Sequence, residues 1–335
     1  MIFKISLCAA LAALGTLPVS LAHADVNELR ITKQPGALFT PIILMEQHKL
    51  IEKHAAAAGL GNDFKVSWLT LSSGGAATDG LLAGSVDIVT SGTTNMLLLW
   101  GKTNGDVKAV AGISGLPFKL ITRNPNIKTI KDYGPGDRIA LPTVRVSIQA
   151  MTLGIALQKA YGDDKANEKL LPNQVQMGHP DATAALLNPM HEVTSHFSAS
   201  PFQEMLLKNP SMHTVLESRD ALGGGAHIAI AFSTTKFFQA NPKVIAAFIA
   251  AAEEATEMVR KDPRAAATTY LGVTKEKLTV DEMVALLTQP EAIFQVAPVR
   301  TMVYATYMYK AGFIKLEPKS WKDYFFPPLH NREGS

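Results

Sequence analysis

From Asp25 onward the chain alternates short apolar, strand-like runs with stretches of helical period, and that order suits few folds. Residues 28–32 (ELRIT) read as a strand. A loop, KQPGALFTP, follows, and residues 41–54 repeat apolar side chains at helical spacing with Pro41 in the first turn. Residues 64–71 (FKVSWLTL) alternate as a strand, 72–75 (SSGG) form a turn, and 76–82 predict a short helix ended by Gly84. The stretch GSVDIVTSGTTNMLLLW, residues 84–100, predicts a strand over 86–89 and a helix from Met96. Between them Thr90-Ser91-Gly92-Thr93-Thr94-Asn95 reads as a loop of small, uncharged polar residues. Strands over 107–113 and 118–122 follow. Such βα alternation predicts a mostly parallel sheet with helices on both faces.

A second unit of the same kind opens near Arg123. Residues 130–137 (IKDYGPGD) are rich in turn formers. A strand is expected at 138–141 (RIAL), a loop at 142–146, and a long helix at 147–161. A further strand at 174–177, a helix at 181–187 capped by Asp181, a strand at 192–197 and a helix at 202–207 complete it. Gly223-Gly224-Gly225 suits a turn or a hinge crossing. After a return strand at 226–232 the chain turns helical. Asn241 is placed as the cap of an alanine-rich helix over 242–261, with helices at 263–271, 279–287 and 299–311 after it.

With 335 residues, 47% of them hydrophobic and 18% charged, the chain can build two globular units. Lys4, an apolar run over 5–21 and Ala22-His23-Ala24 predict an export signal cut after Ala24, hence a periplasmic product. The one cysteine, Cys8, leaves with that signal, so the mature chain has no thiol, disulfide or cysteine-ligated metal. A net charge of +3 without a basic cluster argues against nucleic acid as a partner.

In open α/β sheets, ligands sit beyond the carboxyl ends of the strands. Four loops hold that position: residues 34–40, 91–95, 143–149 and 198–202. Each is polar, bears a hydroxyl and leads into a helix, whose first amides and dipole favour a polar or anionic group. Ordinary N-capping explains any one of them alone. All four together, two from each half, predict a shared cleft. Arg145 is the one basic residue in these loops and could clamp a carboxylate or sulfonate. Phe39 and Phe202 could wall the cleft. A secreted enzyme is the rival reading, but it needs titratable groups facing the ligand, and the four loops contain no Asp, Glu, His or Lys. His191 and His196 are five residues apart, which on a helix would point them roughly 140° from each other, so they read as unrelated. Glu253-Glu254 and Asp163-Asp164 read as solvated charges, not an acid/base pair.

The strand GSVDI with its polar loop, the entry YGPGDRIALP, the segment FFQANPKVIAAF after the return strand and the late WKDYFF occur in a telling order. Together they resemble the periplasmic solute-binding proteins of ABC transporters for nitrate, sulfonates and taurine, a superfamily that includes pyrimidine-precursor binders of the thiamine pathway. The resemblance implies an α/β, two-lobed fold of the type II binding-protein kind, each lobe a mostly parallel sheet flanked by helices, with the ligand cleft between. It places lobe 1 at residues 25–122 and 227–335 and lobe 2 at 123–226, joined by a two-segment hinge. Matched by position, it implies ligand contacts at Phe39 and Thr40, at Gly92, Thr93 and Thr94, at Ser147 and Gln149, and at Ser200 and Phe202. Arg145 joins them from the residue reading above. The chain departs from the pattern at SASPF, where an aromatic–acidic pair often precedes the proline, and at 143–147, which is not Gly/Ser-rich. Fungal thiamine-pyrimidine synthases of this fold use a cysteine-rich motif that the mature chain lacks. The expectation is a monomeric, non-enzymatic binder without cofactor or metal. It would capture a small, anionic organic solute, sulfonate-, taurine-like or carboxylate, and deliver it to the transmembrane permease subunits of an ATPase-driven importer. A heterocycle is the alternative ligand, and a sensing role with a receptor the alternative to transport.

Overall fold

The computed structural model describes residues 25–71 and 74–335, so the expected export signal and Ser72-Ser73 lie outside the described residues. In chain order the elements are β1 (Glu28–Lys33), α1 (Thr40–Gln47), α2 (Leu50–Ala57), β2 (Lys65–Thr70), α3 (Gly74–Leu82), β3 (Val89–Gly92), α4 (Thr93–Lys102) and β4 (Val107–Ser114). There follow β5 (Lys119–Thr122), β6 (Ile139–Leu141), α5 (Ile148–Tyr161), β7 (Gln174–Gln176), α6 (His179–Leu187), β8 (Ser195–Ser198), α7 (Phe202–Leu207), β9 (His213–Glu217) and α8 (Ser218–Leu222). The chain ends with β10 (Ala229–Thr234), α9 (Thr235–Ala240), α10 (Pro242–Lys261), α11 (Pro263–Thr274), α12 (Val280–Leu287) and α13 (Thr301–Lys310).

The strands make two sheets of matching design. In the second, the order is β7-β6-β8-β5-β9. In the first, β1 pairs with β2, and β10 runs between β3 and β4. A parallel bridge from Ile31 to Ile88 joins the two halves of that sheet, giving β2-β1-β3-β10-β4. In each lobe the inner strand is parallel to its neighbours, while the strand arriving from the other lobe, β10 or β5, is antiparallel to both of its own. Both sheets are therefore mixed. Parallel pairing with intervening helices puts the carboxyl ends of β1, β3, β6 and β8 at the edge facing the other lobe.

The crossings run side by side. Ile228 donates its amide to Ser114 O at 2.9 Å, and Gly115 exchanges amide bonds with Ile293 at 2.8 and 2.9 Å. A Cβ on Gly115 would fall 2.0 Å from Ala226 O, so only glycine lets the two strands approach this closely. β5 pairs with β8 and β9. β5 thus lies in the second sheet, whereas the expected boundary after Thr122 groups it with the first.

Other expectations shift for local reasons. The helix expected over 41–54 is two, broken where Lys49 turns left-handed at φ 48°. Asn241 stands at the start of α10, but its side chain is used elsewhere: it accepts from the Val26 amide at 2.9 Å and donates to Phe237 O at 3.0 Å. β9, α8 and α9 were not expected. Asp87 of the GSVDI motif is structural. Its carboxylate takes the Arg30 amide at 2.9 Å and the Arg30 guanidinium at 2.6 and 3.0 Å, locking β1 to the approach of β3.

Candidate functional site

The six-residue polar loop does not exist. β3 runs through Thr90 and Ser91 to Gly92, and α4 starts at Thr93. Thr90, Ser91, Thr93 and Thr94 are buried, and each hydroxyl has a partner. Thr90 Oγ1 donates to Thr32 O at 2.5 Å, and Ser91 Oγ accepts from Asn95 at 2.9 Å. Thr93 Oγ1 donates to His227 O at 2.8 Å, on the return crossing. Thr94 Oγ1 donates to Val146 O at 3.1 Å, and that bond joins the lobes. A strand passing straight into a helix leaves the first amides of α4 without partners inside the helix, and the Thr93 amide donates to Ile228 O at 2.9 Å.

Other contacts close the same gap. A Cβ at Gly36, in the loop after β1, would lie 3.9 Å from Ser200 O in the loop after β8. At the rim Lys208, just past α7, pairs with Glu282 of α12 at 2.7 Å. That lysine, with two Thr279 bonds, holds the Glu282 carboxyl down at about 2. Deeper in, Thr152 and Tyr304 hydroxyls lie 3.0 Å apart between α5 and α13. The four loops chosen from sequence thus meet in two facing pairs.

The side chains behave unevenly. Phe39 is buried in the main core. Thr40 Oγ1 donates to Ala37 O at 2.6 Å within its own turn. Ser147 caps α5, accepting the Ala150 amide at 3.3 Å. Ser200 Oγ donates to Glu204 at 2.9 Å. Arg145 is exposed, left-handed at φ 70°, and its amide faces Gln174 of the edge strand β7. Among the described residues its guanidinium has no ion-pair partner. Gln149 and Phe202 do converge, and they do so on a residue the sequence reading passed over.

That residue is His179, at the start of α6 beyond the end of β7. Its ring stacks on Phe202 with centroids 5.7 Å apart and planes 14° from parallel. His179 Nδ1 lies 3.1 Å from His196 Nε2, and His179 Nε2 lies 3.4 Å from Gln149 Nε2. His196 Nδ1 lies 3.0 Å from Ala140 O. The network fixes the protons. A carbonyl only accepts, so His196 Nδ1 carries hydrogen and its Nε2 is bare. His179 Nδ1 must then donate to it, leaving His179 Nε2 bare, and the Gln149 amide nitrogen donates there. Burial holds both rings neutral, His179 down at about 3 and His196 at about 4. Gln149 therefore turns its oxygen away from His179. His191 takes no part: its Nδ1 accepts from the Val193 amide. Pro180 was the missed signal, since proline favours the first helical turn and places the helix start at His179 and not at Asp181.

Two lobes of matched mixed sheets, crossing twice and meeting through the carboxyl-end loops, leave one architecture. The fold is that of the periplasmic solute-binding proteins. The alkanesulfonate-binding protein SsuA from Xanthomonas axonopodis pv. citri, solved bound to MOPS, superposes with a TM-score of 0.67 at 19% identity, over 88% of this chain and 96% of that one. The periplasmic aliphatic sulphonate binding protein SsuA from Escherichia coli gives 0.67 at 18% identity, covering 93% and 95%. The periplasmic nitrate-binding protein NrtA from Synechocystis PCC 6803 gives 0.64 at 13% identity, covering 86% and 82%. No protein-family model matches the sequence, and no curated protein matches it either. In this binding-protein fold the described residues contain no cluster of three or more metal-ligating side chains. Among them, no helix is long and apolar enough to cross a membrane.

Proposed function

We propose that this chain is the solute-binding component of an ABC-type importer. It captures a small organic solute between its lobes in the periplasm, after loss of residues 1–24, and hands it to membrane permease subunits. Lobe 1 is residues 25–118 with 227–335, and lobe 2 is residues 119–226. The observation that carries the reading is the convergence of loops from both lobes, through Thr94 on Val146 and Gly36 beside Ser200. A ligand touching both sides favours the closed arrangement by its contacts to each. Non-enzymatic use fits the histidine pair. Both rings are neutral, and each ring nitrogen that the network assigns is engaged by protein, which suits a rigid wall and not a proton shuttle.

The test is native mass spectrometry on protein purified from its host periplasm, first gently and then denatured. A discrete small mass released on denaturation supports solute capture. No released mass, with a flat thermal-shift response to sulfonates, carboxylates and pyrimidines, contradicts it.

A further inference from the structure

Beside the point where Ser200 approaches Gly36, lobe 2 has buried acceptors that lack donors among the described residues. Gln203, 1% exposed, sends its amide nitrogen to Ser200 Oγ at 2.9 Å, Glu204 Oε1 at 2.9 Å and Pro117 O at 3.2 Å. Its oxygen finds no partner among the described residues, and neither does Glu204 Oε2, which is also buried. Both oxygens flank one triangle of Ser200, Gln203 and Glu204, and Ser200 is the residue that approaches Gly36 of lobe 1. A third orphan lies close in the chain. Ser198 is fully buried, and its hydroxyl has no partner among the described residues. Side chains alternate along a strand, so Ser198 shares the face of His196, one pleat nearer the cleft.

Helix capping explains Glu204 Oε1 and stops there. A carboxylate in the first turn of α7 complements the helix dipole. It does not require a second oxygen buried without a donor, a state that costs free energy until a donor arrives. The nearby histidines supply no positive charge, and the one basic residue of the loops, Arg145, is exposed.

We propose that the cleft takes a solute that donates through N–H groups, a cation of the ammonium or amidinium type, received by Gln203 Oε1 and Glu204 Oε2. This rests on the solute-binding reading and reverses the polarity expected from sequence. The cation brings the donors that these oxygens lack, and closure of lobe 1 over Ser200 excludes water from the pair.

Isosteric probes of opposite polarity test it: acetamidinium against acetate, and guanidinium against nitrate, each at millimolar concentration as the chloride or sodium salt. Thermal unfolding and calorimetric titration are read on the mature protein and on the Glu204→Gln variant, which preserves shape. The expected result is stabilisation by at least one cation and by neither anion, with affinity for that cation reduced at least about tenfold in E204Q. Stabilisation by acetate or nitrate alone overturns the proposal and leaves solute capture standing. Equal cation affinity in E204Q overturns it, and so does stabilisation by no probe. Whether solute capture itself fails is decided separately by the mass released from host-purified protein.

Discussion

Acid should destabilise this protein before its carboxylates are neutralised, and three buried histidines set the amount. His179, His196 and His227 are each held neutral by burial, at about 3, about 4 and about 4. His227 sits on the return crossing, 2.9 Å from Gln295 O and accepting the Val299 amide at 2.9 Å. The unfolded chain protonates each near pH 6.5, so it binds more protons than the folded state below that pH. Stability is therefore full above pH 6.5 and falls with pH down to about 4. At pH 5 each histidine costs about 2 kcal/mol, or roughly 6 kcal/mol for the three as an upper bound. With an unfolding entropy of roughly 2.1 cal/mol/K per residue, that lowers the midpoint by about 9 °C. Glu282 does not contribute in this window, since its carboxyl, held at about 2, loses its pairing only as pH falls from the ordinary carboxylate range toward that value. Glu276, whose carboxyl burial pushes up, works against the trend. The assay is urea unfolding at pH 7 and pH 5, on wild type and on His227→Gln, whose amide can make both bonds of the imidazole. The variant should lose about one third of the pH dependence. Identical stability at both pH values, or an unchanged slope in H227Q, would refute the reasoning.

Four further outcomes are expected. Gly74→Ala places a methyl 1.7 Å from Asn95 Nδ2, so it should cost roughly 1–3 kcal/mol in urea unfolding. Asp87→Ala strips three bonds from Arg30 and should cost about 2 kcal/mol by the same assay. Thr94→Val removes the hydroxyl that reaches Val146 O; ligand affinity should fall about three- to tenfold in calorimetry. Arg145→Ala should leave affinity for the released solute within about twofold, because the guanidinium is exposed and unpaired. A large loss there would return Arg145 to the cleft.

The lobes were legible because βα alternation is a period signal, and the carboxyl-end rule then picked out loops that do face one another. Register at the strand-to-helix junctions was less legible. Thr90 and Ser91 look like loop residues by polarity, yet β-branched and hydroxyl side chains fit a buried strand when neighbours such as Thr32 accept their hydrogens. Ser147 shows the converse: a hydroxyl expected at the ligand accepts the Ala150 amide as a helix cap. The crossing before β5 was hidden because a strand at 118–122 read as the direct successor of the one at 107–113, and only sheet pairing says which sheet owns it. His179, Gln203 and Glu204 were invisible for another reason. Their meaning lies in which atoms lack partners and which tautomer a chain of contacts imposes, and neither property is local in sequence.

The most direct test of capture between lobes is the distance between them. A chain without residues 1–24 has no cysteine, so two can be introduced for spin labels without background. Leu82 in lobe 1 and Met190 in lobe 2 are 56% and 90% exposed, and neither belongs to the four loops. Pulsed dipolar spectroscopy on L82C/M190C, stripped by denaturation and refolded, should give a distance distribution that shifts and narrows when the released solute is added back. A distribution that solute leaves unchanged would contradict the account.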